Sequence, residues 1–291
     1  MTRGAPDGAL SLVDGSPWRL SMGLHRLDER DWLVFDEHRA AELAAKRHLL
    51  EVARDTVLVP LPKGDAASLE LHDTIVEHLA RHHSSLDDGS ESPASEADAR
   101  HPIEAAALLV QEDLCVLVRA DGEWRLVAAC VCFPSRWSLR EKLGASLAEI
   151  HDPVPGFDRT LAAPAATFFD RLTVERPVWR RNWTVLDTDE FHLPSPATRR
   201  GTHGLAGDLG AQLWFRVERQ TLRRLPETGA ITFTIHTTVR SLGEVVASTP
   251  GFARALGATL ATVESDVAAY KGWTSILERL TAWLDARAEV S

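Results

Sequence analysis

Residues 104–133 read EAAALLVQEDLCVLVRADGEWRLVAACVCF, and this run decides the fold class. Two apolar arms flank Asp121-Gly122, a pair that tolerates positive φ and so closes a tight hairpin. The expectation is an antiparallel pair of strands, the first from Glu104 to Ala120 and the second from Glu123 to Phe133. Gln111, Glu112 and Asp113 interrupt the first arm with three consecutive polar groups. They mark a bulge, a strand break or a polar surface facing a pocket. Cys130 and Cys132 share one face of the second arm by the period of two. With Cys115 they make an odd count in apolar runs, which reads as buried reduced thiols rather than a metal pair.

Working outward, residues 36–54 carry Leu43, Leu49, Leu50 and Val52 at helical spacing, with Asp36 as the expected cap. Residues 66–83 form a second helix on Leu69, Leu71, Ile75, Val76 and Leu79. His78 and His82 lie four apart on it but lack an HExxH pattern, so they read as a solvated helix end. Residues 84–100 are acidic and Ser-rich, a mobile surface loop, and residues 1–20 read as a flexible tail. After Pro134, helical spacing runs from Ser138 to Ile150 and stops at His151, ahead of Asp-Pro-Val-Pro. Residues 162–172 are helical, and ERPVWRRNWTVLD (175–187) is a strand. Residues 192–210 form a long loop, a lid or an excursion. QLWFRVERQ (212–220) and AITFTIHTTVR (230–240) are two more strands. From Pro250 the stripes Phe252, Leu256, Leu260, Val263 and Ile276, Leu280, Trp283, Leu284 predict a pair of helices. The sum is an α+β chain with four to six largely antiparallel strands. Its core spans 21–248, and 249–291 is a C-terminal helical extension.

The chain has 291 residues, 44% of them apolar, enough for one large domain or two small ones. A net charge of −10 argues against a non-specific nucleic-acid binder. No apolar run approaches the roughly 20 residues that span a bilayer, and the N-terminus lacks a signal-peptide core. A cytoplasmic protein is expected. There is no GxGxxG, P-loop or GxSxG motif, and three cysteines cannot hold an iron–sulfur cluster. Electrons for any redox step must come from another protein.

Three blocks, PSRWSLREKLGASLAEIHDPVP (134–155), RRNW (180–183) and RVERQTLRRLPETGAITFTIHT (216–237), are specific in combination. Together they resemble the haem-carrying alpha subunit of the haem-dependent oxidative N-demethylase family, over about residues 22–246. The resemblance implies a PAS-like antiparallel sheet that binds haem b through iron. It implies oxidation of a small secondary amine by O₂, an N-methyl group leaving as formaldehyde. It also implies electrons from flavin and iron–sulfur partner subunits. A non-catalytic haem-PAS gas sensor and oxidation of a different amine in a biosynthetic pathway remain as alternatives, and a homo-oligomer is compatible with each.

His151, held between a helix end and two prolines, is the expected iron ligand. Asp152 or a nearby carbonyl would orient its ring, and His236 is the rival. Glu218 and Arg219 are adjacent on a strand, so their side chains leave opposite faces and a flat strand sends only one of them into a given pocket. Arg219 is the expected oxygen-side group, because a guanidinium stabilises negative charge without losing its proton. Glu218 or Glu112 would receive an alkylammonium. Arg223 and Arg224 are expected to pair with haem propionates. Trp183 and Trp214, with Trp179, are candidates for a cation-binding wall. Asn182 is a candidate polar pocket residue.

Overall fold

The Asp121-Gly122 hairpin closes as its residues demand, with φ of 52° and 82° at the two turn positions. Its first arm, however, is helical up to Leu109. The computed structural model describes residues 9–83, 100–195 and 207–289. Among these, the chain runs α1 (Ala9–Leu12), β1 (His25–Arg26), α2 (Arg39–Val52), α3 (Arg54–Val57), β2 (Leu58–Pro60), α4 (Asp65–His82) and α5 (Pro102–Leu109). It continues β3 (Asp113–Ala120), β4 (Glu123–Cys130), α6 (Leu139–Lys142), α7 (Leu147–His151), α8 (Phe157–Thr160), α9 (Ala162–Arg171), β5 (Val178–Leu186), β6 (Trp214–Arg224) and β7 (Ile231–Ser241). It ends α10 (Leu242–Ser248), α11 (Phe252–Leu260), α12 (Ser265–Lys271) and α13 (Leu277–Ala288).

The strand expected over 104–112 is therefore corrected to a helix and a break. Pro102 sits in the first turn, the His101 side chain accepts from the Ile103 amide, and an Ala-rich run follows. An uninterrupted apolar run has no period to separate helix from strand. Lys46, fully buried, donates to the carbonyls of Ala107 (3.1 Å) and Val110 (2.9 Å) and to that of Glu112, satisfying the open end of α5. The 138–150 helix is likewise two short helices. Gly144 at φ 75° separates them, and Ser146 with Glu149 forms a capping box that starts α7.

Seven strands, rather than four to six, form one antiparallel sheet in the order β1-β5-β6-β7-β3-β4-β2. The short strands β1 and β2 account for the excess. Helices α6–α9, between β4 and β5, cover part of one face, here the crossover face. Leu139, Phe169 and Leu172 meet Cys115, Leu222 and Ile231 there. The opposite, terminal face is covered at one end by α2–α5, with Leu71, Ile75 and Ile103 against Leu114 and Val116. Its other end is covered by α10–α13, with Phe252, Leu256 and Leu284 against Val185 and Phe215.

Part of the segment read as a tail packs here: Val13 is buried in the C-terminal cluster, and the Trp18 amide donates to Thr262. Residues 84–99 of the acidic loop and 196–206 of the expected lid lie outside the described residues. Gly210, at the end of that lid, lies so close to the Trp283 ring and Gly243 that a Cβ would meet Trp283 at 2.6 Å.

Candidate functional site on the crossover face

Alternation along β6 sorts the polar groups. Arg216, Glu218 and Gln220 leave on the crossover face, in register with Thr184, Asn182 and Arg180 of β5. Val217, Arg219 and Thr221 leave on the terminal face. Arg216 has no exposure. Its Nη atoms donate to the carbonyls of Phe191 (3.2 Å) and Phe133 and to Thr237 Oγ1 (3.3 Å), and its Nε donates to Glu218 Oε1 (3.2 Å). Glu218 Oε2 accepts from Asn182 (3.4 Å) and Gln220 (3.1 Å). A carboxylate with three donors around it is held in one rotamer.

Helix α7 brings His151 to this same face. Leu147 and Ile150, on the same helix, pack with Val178 and Phe233 against the crossover cluster. The His151 ring stacks on Phe157, centroids 4.3 Å apart and 10° from parallel. Its Nδ1 lies 2.8 Å from the Leu147 carbonyl one turn back. A carbonyl can only accept, so Nδ1 carries the proton and Nε2 presents a lone pair. Burial, then the nearby charges of Arg180 and Lys142, hold the pKa below the ordinary imidazole value, against the raising pull of the Leu147 contact. The ring is neutral and fixed, which is what metal ligation requires.

Two further cations lie within electrostatic range of Glu218. Arg180, on β5, lies within electrostatic range of His151 and Glu218. Lys271, at the end of α12, reaches over the β5 edge and donates to the Trp183 carbonyl (3.2 Å). Burial draws its pKa down to about 8 while Glu218 pulls it up.

The remaining sequence candidates are elsewhere. Arg219 is on the terminal face, donating to the carbonyls of Trp32 (3.1 Å) and Asp31. Glu112 is there as well; Oε1 accepts from the Val34 amide (2.8 Å), Oε2 has no partner among the described residues, and burial pushes its pKa up to about 7. His236 is neither solvent-facing nor near His151. It is 4% exposed on the terminal face, paired in register with Arg219, with Nε2 3.7 Å from Asp36. Arg223 pairs with Glu29 (2.7 Å) over the Trp32 ring, and Arg224 lies over Trp124. Trp183 stacks on Trp273 at 5.7 Å in the C-terminal core. Trp214 is half-buried on the crossover side of β6. His78, read as solvated, is 2% exposed and meets Trp32 edge-on.

The crossover face thus joins His151, Glu218 and Asn182, and leaves Arg219, Glu112 and Arg223 behind the sheet. The sequence reading missed Arg216, Gln220, Arg180 and Lys271. Period two along R-V-E-R-Q was the available signal for the first two. Nothing local announces Lys271, which arrives from the far end of the chain.

A family model for haem-dependent oxidative N-demethylase, alpha subunit-like proteins matches residues 23–281. The chain belongs to this family. The match takes in the sheet, the crossover helices and most of the C-terminal helices, so it extends past the resemblance read from the sequence, which ends near residue 246. No helix among the described residues is long and apolar enough to cross a membrane.

The N-demethylase name implies haem, and the crossover face fits that group. Among the described residues no three His, Cys, Asp or Glu side chains are placed to hold a bare metal ion. A porphyrin brings its own nitrogens and asks the protein for an axial ligand and an apolar wall. His151 offers the first, and half-buried Leu143, Leu147, Ile150, Phe168 and Phe233 the second. Arg180 Nε, buried without a hydrogen-bond partner, is a cation waiting for an acceptor.

Proposed function

We propose that the chain is a haem-dependent oxygenase that oxidatively removes an N-methyl group from a small secondary amine, with His151 as axial ligand to haem b. The observation that carries this is the His151 tautomer, fixed by the Leu147 carbonyl on the face that also presents Glu218. Order among the strands supports a PAS-like core: the five longer strands run β4-β3-β7-β6-β5, with helices inserted between the second and third in sequence.

Haem, when bound, supplies activation of O₂ for oxidation of the carbon beside nitrogen. The chain's own groups bind and orient. Glu218 accepts an N–H from the alkylammonium and so sets where the methyl group lies. Asn182, Gln220 and Arg216 hold Glu218 in place. Arg216, whose Nε donates to Glu218 on the crossover face, takes the electrostatic role that the sequence reading gave to Arg219. Hydroxylation consumes O₂, two electrons and two protons, and releases water. The resulting hemiaminal moves its hydroxyl proton to nitrogen as the C–N bond breaks, giving formaldehyde and the shorter amine. The electrons come from a separate flavin or iron–sulfur protein, in keeping with an alpha subunit that works within a complex.

Ultraviolet–visible titration of the apoprotein with haem tests this. A Soret band that shifts on adding a small secondary N-methylamine is expected, with formaldehyde release under dithionite and O₂. Protein that gives no Soret band after reconstitution ends the proposal.

A further inference from the structure

Buried cations are stable only when paired, because desolvating a charge costs several kcal/mol. Arg180 breaks that rule. It is half-buried, makes no ion pair or hydrogen bond among the described residues, and its Nε is fully buried without an acceptor. Lys271 stands within electrostatic range of it and donates only to the Trp183 carbonyl. Glu218, the nearest carboxylate to both, already receives Arg216, Asn182 and Gln220 and lies beyond ion-pair distance of either cation. Arg180 pairs with Gln220 across the strands and lies two residues from Asn182, about 7 Å along β5. Arg180 thus lies within electrostatic range of both His151 and Lys271, and among the described residues neither cation makes an ion pair.

We infer that Arg180 and Lys271 form a seat for the haem propionate carboxylates, reached jointly from β5 and from the C-terminal helix α12. This rests on the haem reading above. It replaces Arg223 and Arg224 in that role, since the first already pairs with Glu29 behind the sheet and the second lies over Trp124. A guanidinium gives a carboxylate two parallel donors, and the ammonium adds a point charge on a flexible stem. It also gives the C-terminal helices a part in cofactor retention. Helix α12 is anchored by Trp273, whose indole donates to the Val185 carbonyl (3.0 Å), and Lys271, 5.8 Å from that ring's centroid, is held at the β5 edge by this packing and by its bond to the Trp183 carbonyl.

Haem and haem dimethyl ester, which lacks the carboxylate charges, separate this seat from the axial bond. Affinity for each is measured by Soret titration in the wild-type chain, Arg180→Met, Lys271→Met, the double variant and Arg180→Lys. The wild type is expected to prefer haem over its ester by tenfold or more, and the double variant by less than threefold. Arg180→Lys should keep part of the preference. Thermal melting of the same proteins gives a second readout. Without haem, Arg180→Met should melt at or above the wild-type temperature, because an unpaired buried charge is gone; with haem bound it should melt below it. An equal preference in wild type and double variant overturns the seat while leaving the haem reading intact, and would assign these cations to a carboxylate-bearing substrate instead. A lower melting temperature for Arg180→Met in both states also overturns it, as the mark of a structural residue. Absence of any Soret band in the wild type removes both proposals together.

Discussion

The two faces of one sheet carry polar groups of similar kind for different ends. On the terminal face, Arg219 and Glu112 are bonded to the backbone of the 31–34 segment, and His236 lies under Asp36. These groups stitch an entering loop to the sheet. On the crossover face, Arg216 stitches in the same way, to Phe133 and Phe191, yet its partner Glu218 has three side-chain donors around it on the face that also carries a histidine with an open nitrogen. Composition alone does not distinguish the faces. What differs is that the crossover face gathers three side-chain donors around one carboxylate.

The largest expected effect breaks the comparison if it fails. His151→Ala should abolish haem retention on gel filtration, whereas His236→Ala, a more deeply buried histidine on the other face, should keep the Soret band. Loss in both variants would remove the distinction between faces. A second contrast is thermodynamic. Arg216→Met leaves Glu218 and two carbonyls without their donor and should cost about 3–5 kcal/mol of unfolding free energy. Arg219→Met removes bonds to carbonyls at a half-buried site and should cost only about 1–3 kcal/mol by denaturant titration.

A third separates the two carboxylates kinetically. Glu218→Gln should raise KM for the amine by about tenfold, equivalent to about 1.4 kcal/mol, with Glu112→Gln unchanged. The smallest effect is in pH. Burial raises the Glu112 pKa from 4.5 to about 7, with Lys46 and Arg219 as its charged neighbours. Between those values the folded chain holds a proton that the unfolded chain has released, so stability falls as pH rises toward 7. His236 acts oppositely: burial lowers its pKa from 6.5 to about 4, so its contribution rises with pH over that window. Melting curves from pH 5 to 8 should therefore show Glu112→Gln gaining on the wild type as pH increases, with the gain level above pH 7.

Several of these features are legible in the sequence, for local reasons. Asp121-Gly122 defines its turn because few residues accept positive φ twice in succession. Glu218 and Arg219 must part company because successive strand side chains point to opposite faces. His151 is held at its helix end, and the combination of three blocks is enough to assign the family. What misled was also local: an Ala-rich apolar run reads as strand until Pro102 is weighed as a helix start, and Ser138–Ile150 reads as one helix until Gly144 and the Ser146–Glu149 box divide it.

Alternation says that Glu218 and Arg219 face apart; it does not say which of them shares a side with His151. That was decided by helices α6–α9 packing their apolar residues on one face and leaving the other to the chain's two ends. Lys271 shows the same limit. Its helix has an ordinary apolar pattern, and only the stacking of Trp273 on Trp183 brings the ammonium over the β5 edge. Backbone geometry reaches one or two residues along the chain, so the sequence alone determined the turns and the alternation. Burial of apolar surface joins segments hundreds of residues apart, and that packing, seen only in the tertiary structure, chose the face on which the chemistry is assembled.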